Sequence, residues 1–226
     1  MPARHPTSRS GAAWRLPDHV HAAAVDDDLV FLDVSRDAYH CLPRGAAACE
    51  IAEGGAALRI TSPELAADLS AAGLVQPWHV EAPPLPRRAA RAPARSALKL
   101  SYPPPTWSDA PEIAAAVLHV AVAYRARGLS RIVGRKPPLA RRRPAPALEE
   151  TLDRFHRWVP FAPVSGKCLL RAFMLRRVLH RSGHPHDWVF GVTLWPFKAH
   201  CWLQADGLVL DDTVENVAAY RPIMVV

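Results

Sequence analysis

Two stretches in the second half of this 226-residue chain decide its fold: "SGKCLLRAFMLRRVLHRSG" at 165–183 and "AHCWLQADGLVLDDT" at 199–213. In the first, apolar residues at helical spacing follow Cys168 and stop at Gly183, which predicts a helix with the cysteine in its first turn. In the second, two apolar runs flank an Asp-Gly pair, which predicts a β-hairpin. The sequence therefore places a thiol at a helix start and a histidine, His200, on a strand.

This arrangement is typical of a cysteine nucleophile with a histidine base. The unpaired N–H groups and the dipole at a helix start favour a thiolate at Cys168. On a strand, the imidazole of His200 points to the opposite face from Cys201, which is expected to face the core. Taken alone, either residue is readily explained as an inert core side chain. The order of cysteine, histidine and acid along helix, strand and next strand favours the catalytic interpretation.

The hairpin turn leaves two candidates for the acid that orients the histidine. A two-residue Asp-Gly loop leaves His200 opposite Thr213 and diagonal to Asp211. A three-residue Ala-Asp-Gly loop puts His200 directly opposite Asp212. Both are regular hairpins, so the spacing alone leaves the acid open.

The remaining cysteines and histidines carry weaker signals. Cys41 and Cys49 are expected to be core residues, because their spacing fits no metal-binding pair. A zinc site is disfavoured for the same reason, since no ligand-like C-x₂₋₄-C spacing occurs among its four candidate ligands, which are Cys168, Cys201, His184 and His186.

The first 80 residues predict a compact module of strands followed by helices. Residues 14–42 contain the apolar runs "HVHAAAV", "LVFLDV" and "AYHCL", separated by turn residues, which predict three strands. A helix is expected over 44–55. A second helix is expected over 63–73, because Ser62 supplies a cap, a proline follows it, and Gly73 ends the pattern.

The rest of the chain suggests a linker and a second domain. Residues 83–107 are rich in proline and arginine, which is typical of a mobile or extended connection. Helical patterns cover 108–128 and 147–159, before the helix at Cys168 and the final strand runs. The expected division is therefore 1–82, 83–107 and 108–226.

Composition and charge exclude several classes of function. The chain has 28 Lys and Arg against 21 Asp and Glu, a net charge of +7, and is 50% hydrophobic, as expected for a soluble globular protein. Many of the cations lie in the stretches 84–99 and 134–146, which are interrupted by prolines and lack interleaved aromatic residues. This pattern disfavours nucleic-acid binding. The positive electrostatic field of these residues would also attract an acidic peptide. No apolar run is long enough for a membrane span, and the N-terminus lacks a secretory pattern, so a cytoplasmic protein with free thiols is expected.

Residues 110–226 resemble the transglutaminase-like domain of lasso-peptide biosynthesis B proteins. The resemblance rests on "CLLRA" at the helix start, Gly-Val before the histidine, the "AHCW" strand and the Asp-Gly turn, all in order. It implies a leader peptidase with a triad of Cys168, His200 and Asp212, and it favours the three-residue turn. Asp211 remains the runner-up for the acid.

The first 80 residues resemble the PqqD-like element that recognises precursor peptides, with "DDDLVFLDVSRDAYHCL" matching its strand–turn–strand. This implies a winged-helix-like module that binds a leader peptide by strand addition and through an apolar groove on the helix after Ser62. The residues implied to bind the leader are Ala38, Tyr39, His40, Cys41, Leu42, Leu65 and Leu69.

Together the two resemblances imply an α+β protein with a recognition domain, a linker and a transglutaminase-like, papain-like peptidase domain. In that domain the nucleophile begins a helix, and His and Asp lie on adjacent antiparallel strands. The implied partners are a ribosomally made precursor and an asparagine-synthetase-like lasso cyclase, which uses ATP to close a macrolactam. No intrinsic cofactor is expected, although activity could depend on ATP through the cyclase. The alternatives are a non-catalytic precursor scaffold and an acyltransferase with the same triad.

Overall fold

The computed structural model divides the chain into two compact units, residues 1–87 and 88–226. None of the described helices is long and apolar enough to cross a membrane. The residues that the structure describes are 12–52, 54–78, 86–126, 129–134, 146–162 and 168–226.

The first unit contains two antiparallel sheets and one α-helix within its described residues. One sheet has the order β2-β3-β4, and the other has the order β5-β6-β1-β7. The elements are β1 (Ala12–Arg15), β2 (Val20–Val25), β3 (Asp28–Asp33), β4 (Ala38–Leu42), β5 (Cys49–Ile51), β6 (Ala57–Ile60), α1 (Pro63–Ala71) and β7 (Gln76–Pro77).

The three strands expected over 14–42 are confirmed as β2, β3 and β4. The helix after Ser62 is confirmed as α1. The Ser62 side chain caps it by accepting a hydrogen bond from the Leu65 N–H at 3.2 Å.

The prediction of a helix over 44–55 is wrong. Gly45–Ala47 form a single 3₁₀ turn, and Cys49–Ile51 form β5, which pairs with β6. Pairing places Cys49 in the core at 4% exposure, so tertiary packing overrides the helix propensity of the alanines. Gly45 fits against β3 closely enough that an added Cβ would lie 2.9 Å from the Leu29 Cβ, which fixes the turn there.

The second unit is a five-stranded sheet of order β12-β9-β10-β11-β8 with helices packed against it. Its helices are α2 (Ala110–Ala126), α3 (Leu129–Gly134), α4 (Leu148–Trp158), α5 (Cys168–Ser182) and α6 (Val214–Val217). Its strands are β8 (Arg95–Ser96), β9 (Asp187–Thr193), β10 (Lys198–Ala205), β11 (Leu208–Val209) and β12 (Arg221–Val225). β8 pairs in parallel with β11, so this part of the segment expected to be a linker is a strand of the sheet.

The helix α5 is held firmly because it is buried between the sheet and the helices α2 and α4. Its side chains Ala172, Met174, Leu175 and Leu179 are fully buried, as are Trp188 on β9 and Leu203 on β10. Each buried leucine or methionine of this kind contributes about 2 kcal/mol by leaving water. The packing of α5 on β10 therefore holds the helix start in a fixed place.

Replacing Ser62 with alanine tests the helix start in the first unit. The variant loses the acceptor for the Leu65 N–H, so we expect the free energy of unfolding to fall by about 1 kcal/mol. Chemical denaturation measures this change. Ser70→Ala, inside the same helix, is the matched control and is expected to change stability far less; equal losses for the two variants would contradict the capping role.

Candidate active site

Cys168 is the first residue of α5 and is half-buried. The preceding Ser165, Gly166 and Lys167 lie outside the described residues. A thiol at this position meets the unpaired N–H groups of the first helical turn, which favour its ionised form. The expected position of the thiol at a helix start is thus confirmed.

His200 lies on β10 opposite Gly191 of β9 and is enclosed by two aromatic rings. The ring centroids of Trp202 and Tyr220 lie 6.0 Å and 5.0 Å from the imidazole centroid. A Cβ added at Gly191 would come within 2.9 Å of atoms of both Trp202 and Tyr220. Glycine at this position therefore lets the two rings pack beside the imidazole and fix its orientation.

The acid that contacts the histidine is Asp212. The His200 Nε2–H donates to Asp212 Oδ2 at 2.6 Å. The same carboxylate accepts from the Asn216 side chain at 3.1 and 3.0 Å and from the Thr213 N–H at 2.7 Å. These donors hold the carboxylate, and its bond to Nε2 leaves the other imidazole nitrogen for the thiol.

The turn that leads to Asp212 is shorter than the resemblance implied. Ala205 pairs with Leu208, so the loop has two residues, and the three-residue turn is wrong. Asp206 and Gly207 have φ values of 49° and 79°, as a type I′ turn requires. Continued pairing in this register would place Thr213 opposite His200.

Asp212 reaches His200 because the pairing of β10 with β11 ends early. The Leu210 N–H still donates to the Leu203 carbonyl at 2.8 Å. The Leu203 N–H, however, donates to the Asp211 side chain at 2.8 Å, and the Leu210 carbonyl accepts from His156 Nε2 at 2.8 Å. A side chain thus replaces the backbone partner of β10, and the following residue leaves the strand register.

Asp211, the second candidate for the acid, has this structural role and does not contact the imidazole through a hydrogen bond that the structure describes. Burial raises the pKa of Asp211 to about 6. Arg171, one turn after Cys168, lies between the two acids: its Nε is 4.0 Å from Asp211 Oδ2, and its Nη2 is 3.6 Å from Asp212 Oδ2. This arginine belongs to the "CLLRA" stretch, and nothing in the sequence pattern assigned it to the site.

The surroundings of Cys168 lower the pKa of its thiol, because the Cys201 thiol, the His200 imidazole and the Cys201 backbone N–H all favour the thiolate. The Cys201 thiol contributes most to lowering the pKa of Cys168 to about 4, against the opposing effect of burial. Burial also lowers the pKa of His200, but the hydrogen bonds to Asp212 and Cys168 outweigh it and raise that pKa to about 9. Between these two values the pair is a thiolate beside an imidazolium.

The residues implied to bind a leader peptide lie in the first unit but do not form one exposed surface. Within the described residues, no strand pairs with the outer edge of β4, whose His40 and Cys41 are exposed. Leu65 is half-buried on α1, and Leu69 is a core residue at 7% exposure. The outer edge of β4 is therefore unpaired within the described residues, whereas Leu69 is buried in the core and is not available to line a groove.

The candidate zinc ligands do not come together. His184 Nε2 lies 3.3 Å from the Thr151 hydroxyl, and His186 Nδ1 donates to the His184 carbonyl at 2.8 Å. Among the residues described, no three His, Cys, Asp or Glu side chains are placed to hold a metal ion together.

The second half of the chain matches a known protein family. Residues 114–225 match the family described as the transglutaminase-like superfamily, so the second half of the chain is a transglutaminase-like domain. The matched range contains Cys168, His200 and Asp212. Such a domain suggests a cysteine peptidase or an acyltransferase. No curated protein and no solved structure matches the chain.

The pH dependence of Cys168 alkylation tests the ion pair. Because the pKa of this thiol is lowered to about 4, its thiolate is present at mildly acidic pH, where an ordinary thiol of pKa about 8.5 is protonated. We expect iodoacetamide to modify Cys168 at a nearly constant rate from about pH 5 to 8 and the exposed Cys41 at a rate that rises about tenfold per pH unit. Peptide mapping after timed quenching gives both rates from one sample. A Cys168 rate that rises in parallel with that of Cys41 would rule out the ion pair.

Asp212→Asn tests the orienting acid. The amide keeps the shape of the side chain but loses the charge that holds the proton on His200, so the imidazolium becomes less stable and the pKa of Cys168 rises. We expect the midpoint of the Cys168 alkylation profile to rise by at least about one pH unit, so that the rate at about pH 4.5 falls severalfold. The matched control is Asp206→Asn in the exposed hairpin turn, where asparagine tolerates the positive φ. Equal rates for both variants would remove Asp212 from the site.

Proposed function

We propose that this chain is the leader peptidase of lasso-peptide maturation, a cysteine peptidase that removes the leader from a ribosomally made precursor. The observation that carries the proposal is the hydrogen bond between His200 and Asp212 in a transglutaminase-like domain, together with a thiol at the start of α5 whose pKa His200 helps to lower. A thiolate, a protonated imidazole and an oriented carboxylate are the groups that amide cleavage by a cysteine requires.

The first half of the reaction uses the ion pair directly. The Cys168 thiolate attacks the carbonyl carbon at the leader–core junction and forms a tetrahedral intermediate. The Cys168 backbone N–H, at the helix start, is the candidate donor to the oxyanion. As the C–N bond breaks, the imidazolium of His200 gives its proton to the leaving amine, and the leader remains bound to the sulfur as a thioester.

The second half releases the leader. Neutral His200 removes a proton from water, the resulting hydroxide adds to the thioester carbonyl, and the thiolate leaves as the C–S bond breaks. Asp212 holds the ring and stabilises the imidazolium in both halves. The core peptide is left with a free α-amine, which an ATP-dependent asparagine-synthetase-like cyclase would join to a side-chain carboxylate. The cyclase is therefore the expected partner and the route by which activity could depend on ATP.

The first unit would supply recognition of the leader. Its strand β4 is the last strand of a three-stranded sheet in the described part of the chain, with His40 and Cys41 exposed. An extended peptide can add to such an edge through backbone hydrogen bonds, with side-chain contacts to Tyr39 and Leu42 giving selectivity. The net charge of +7 favours an acidic leader over a basic one.

An acyltransferase is the second candidate, because the same thioester forms before the two reactions diverge. If an amine rather than water attacks the thioester, the leader leaves as a new amide. A non-catalytic scaffold would retain precursor binding without either product. The three possibilities are therefore distinguished by their products.

The decisive experiment measures the intact mass of the cognate precursor after incubation with the protein, with and without the predicted cyclase and ATP. We expect the wild type to give free leader acid and a core with a free α-amine, and Cys168→Ala to give neither. A leader amide formed with an added amine would identify an acyltransferase. Precursor that stays intact but bound under every condition would favour the scaffold.

A matched variant separates loss of the nucleophile from general loss of a thiol. Cys49→Ala removes a buried sulfur in the core of the first unit and is expected to retain cleavage. Cleavage that survives in Cys168→Ala would exclude Cys168 as the nucleophile.

A further inference from the structure

The polypeptide just before the matched domain is part of the second unit. That unit includes residues 88–226, whereas the family match begins at residue 114. Within the part that precedes the match, residues 91–97 lie beside the hairpin that carries His200 and leads to Asp212. We call residues 91–97 the strap. None of its side chains has a role in the cleavage steps of the proposed mechanism.

The strap is bound along β11 by backbone hydrogen bonds. Arg95–Ser96 of β8 pair in parallel with β11. The Ala94 N–H donates to the Gly207 carbonyl at 2.8 Å, and the Ala97 N–H donates to the Val209 carbonyl at 2.8 Å. Val209 is the last residue of β11, so the strap follows this strand from the hairpin turn to its end. The end of β11 is therefore attached to a segment outside the family match.

The side chain of Ser96 makes a further contact beyond the end of β11. Its Oγ accepts a hydrogen bond from the Val214 N–H at 2.8 Å. Val214 is the first residue of α6, and the N–H groups of a first helical turn have no acceptor within their own helix. Ser96 thus supplies this acceptor from outside. α6 has four residues, a length at which a helix depends on such contacts to stay formed.

The start of α6 holds the carboxylate of the orienting acid. The Thr213 N–H donates to Asp212 Oδ1 at 2.7 Å, and the Asn216 side chain donates to both carboxylate oxygens at 3.1 and 3.0 Å. The Asn216 N–H also donates to the Thr213 hydroxyl at 3.2 Å, so the two donors are fixed to each other. A displacement of α6 would therefore move both donors, and with them the carboxylate that accepts from His200 at 2.6 Å.

The strap binds the acid-bearing segment on both sides of the acid. Residues 210–213 lie between the Val209 carbonyl, bound by Ala97, and the Val214 N–H, bound by Ser96. Both bonds come from adjacent residues of the strap. A segment attached at both ends has fewer conformations in which its carboxylate can turn away from the imidazole.

We propose that Ser96 is a positioning residue of the active site: by fixing the start of α6, it keeps Asp212 directed at His200. The catalytic consequence rests on the proposed function, since an oriented acid matters only if His200 transfers protons in the reaction. The placement itself does not depend on the substrate. The catalytic domain therefore begins before the strap, because a chain that started at residue 108 would lack the acceptor for the Val214 N–H.

The test measures the titration of the His200 imidazole by NMR in the full-length protein, with the resonance assigned from its loss in His200→Gln. The hydrogen bond to Asp212 raises the pKa of His200. Ser96→Ala removes the acceptor, loosens α6 and weakens that bond, so we expect the pKa of His200 to fall by at least about half a pH unit. Ser96→Thr retains the hydroxyl and is expected to keep the wild-type value. The titration needs no substrate, so it decides this inference whether or not the chain cleaves a precursor.

Two comparisons separate positioning from a general effect on stability. The matched control Ser101→Ala removes an exposed hydroxyl a few residues after the strap and is expected to leave the pKa of His200 unchanged. In an Asp212→Asn background, Ser96→Ala is expected to cause no further fall, because its effect passes through Asp212. An unchanged pKa of His200 in Ser96→Ala would overturn the proposal, even if the variant were less stable. Shifts that add fully in the double variant would overturn it as well.

Hydrogen exchange in the wild type provides a measurement that does not require the variants to fold. We expect the Val214 N–H to exchange at least about tenfold more slowly than an unprotected amide, because Ser96 Oγ is its acceptor. Exchange of this N–H at the unprotected rate would show that Ser96 does not hold the start of α6, and the proposal would be wrong.

Discussion

The hydrogen bond from the Leu203 N–H to the Asp211 side chain determines the rest of the site. It replaces a backbone partner, so β11 ends after two residues and the chain leaves the hairpin register. Two consequences follow from this change of hydrogen-bond acceptor. Asp212 turns toward His200, and the edge of β10 at Cys201 becomes available to the start of α5. If the hairpin continued in register, Thr213 would lie opposite His200, and the backbone of β11 would pair with β10 at Cys201.

The site concentrates ionised groups in a place where burial opposes each of them. The Cys168 thiolate and the Asp212 carboxylate are balanced by the His200 imidazolium and by the partly exposed Arg171. Ion pairs of this kind add little net stability, because removing charges from water costs about as much as their attraction returns. Their value lies in keeping the thiolate ionised near neutral pH, so the arrangement is better explained by reactivity than by folding.

The sequence predicted the local elements well because their signals are local. A serine cap, an Asp-Gly pair and the apolar spacing after Cys168 are each enough to identify α1, the hairpin and α5. The helix expected over 44–55 was wrong because pairing with β6 decides that segment, and the turn was wrong because Asp-Gly permits both loop lengths. The contacts of His156 and Cys201 could not be predicted, since both depend on where β11 ends.

Asp212 was preferred as the acid because of the family resemblance, and the three-residue loop was inferred from that preference. The loop has two residues, yet Asp212 still contacts His200. The register of the hairpin therefore does not decide which acid contacts His200. The side chain of Asp211 decides it, because its bond to the Leu203 N–H ends the β10–β11 pairing just before Asp212. This makes the neighbouring acids non-equivalent. Asp211 is buried and has a raised pKa, whereas Asp212 accepts four hydrogen bonds from three donor groups and has a lowered pKa. The Asp-Asp pair is thus an acid that bonds the backbone of β10 followed by an acid that bonds His200, and exchanging these two contacts would require a different end to the β10–β11 pairing.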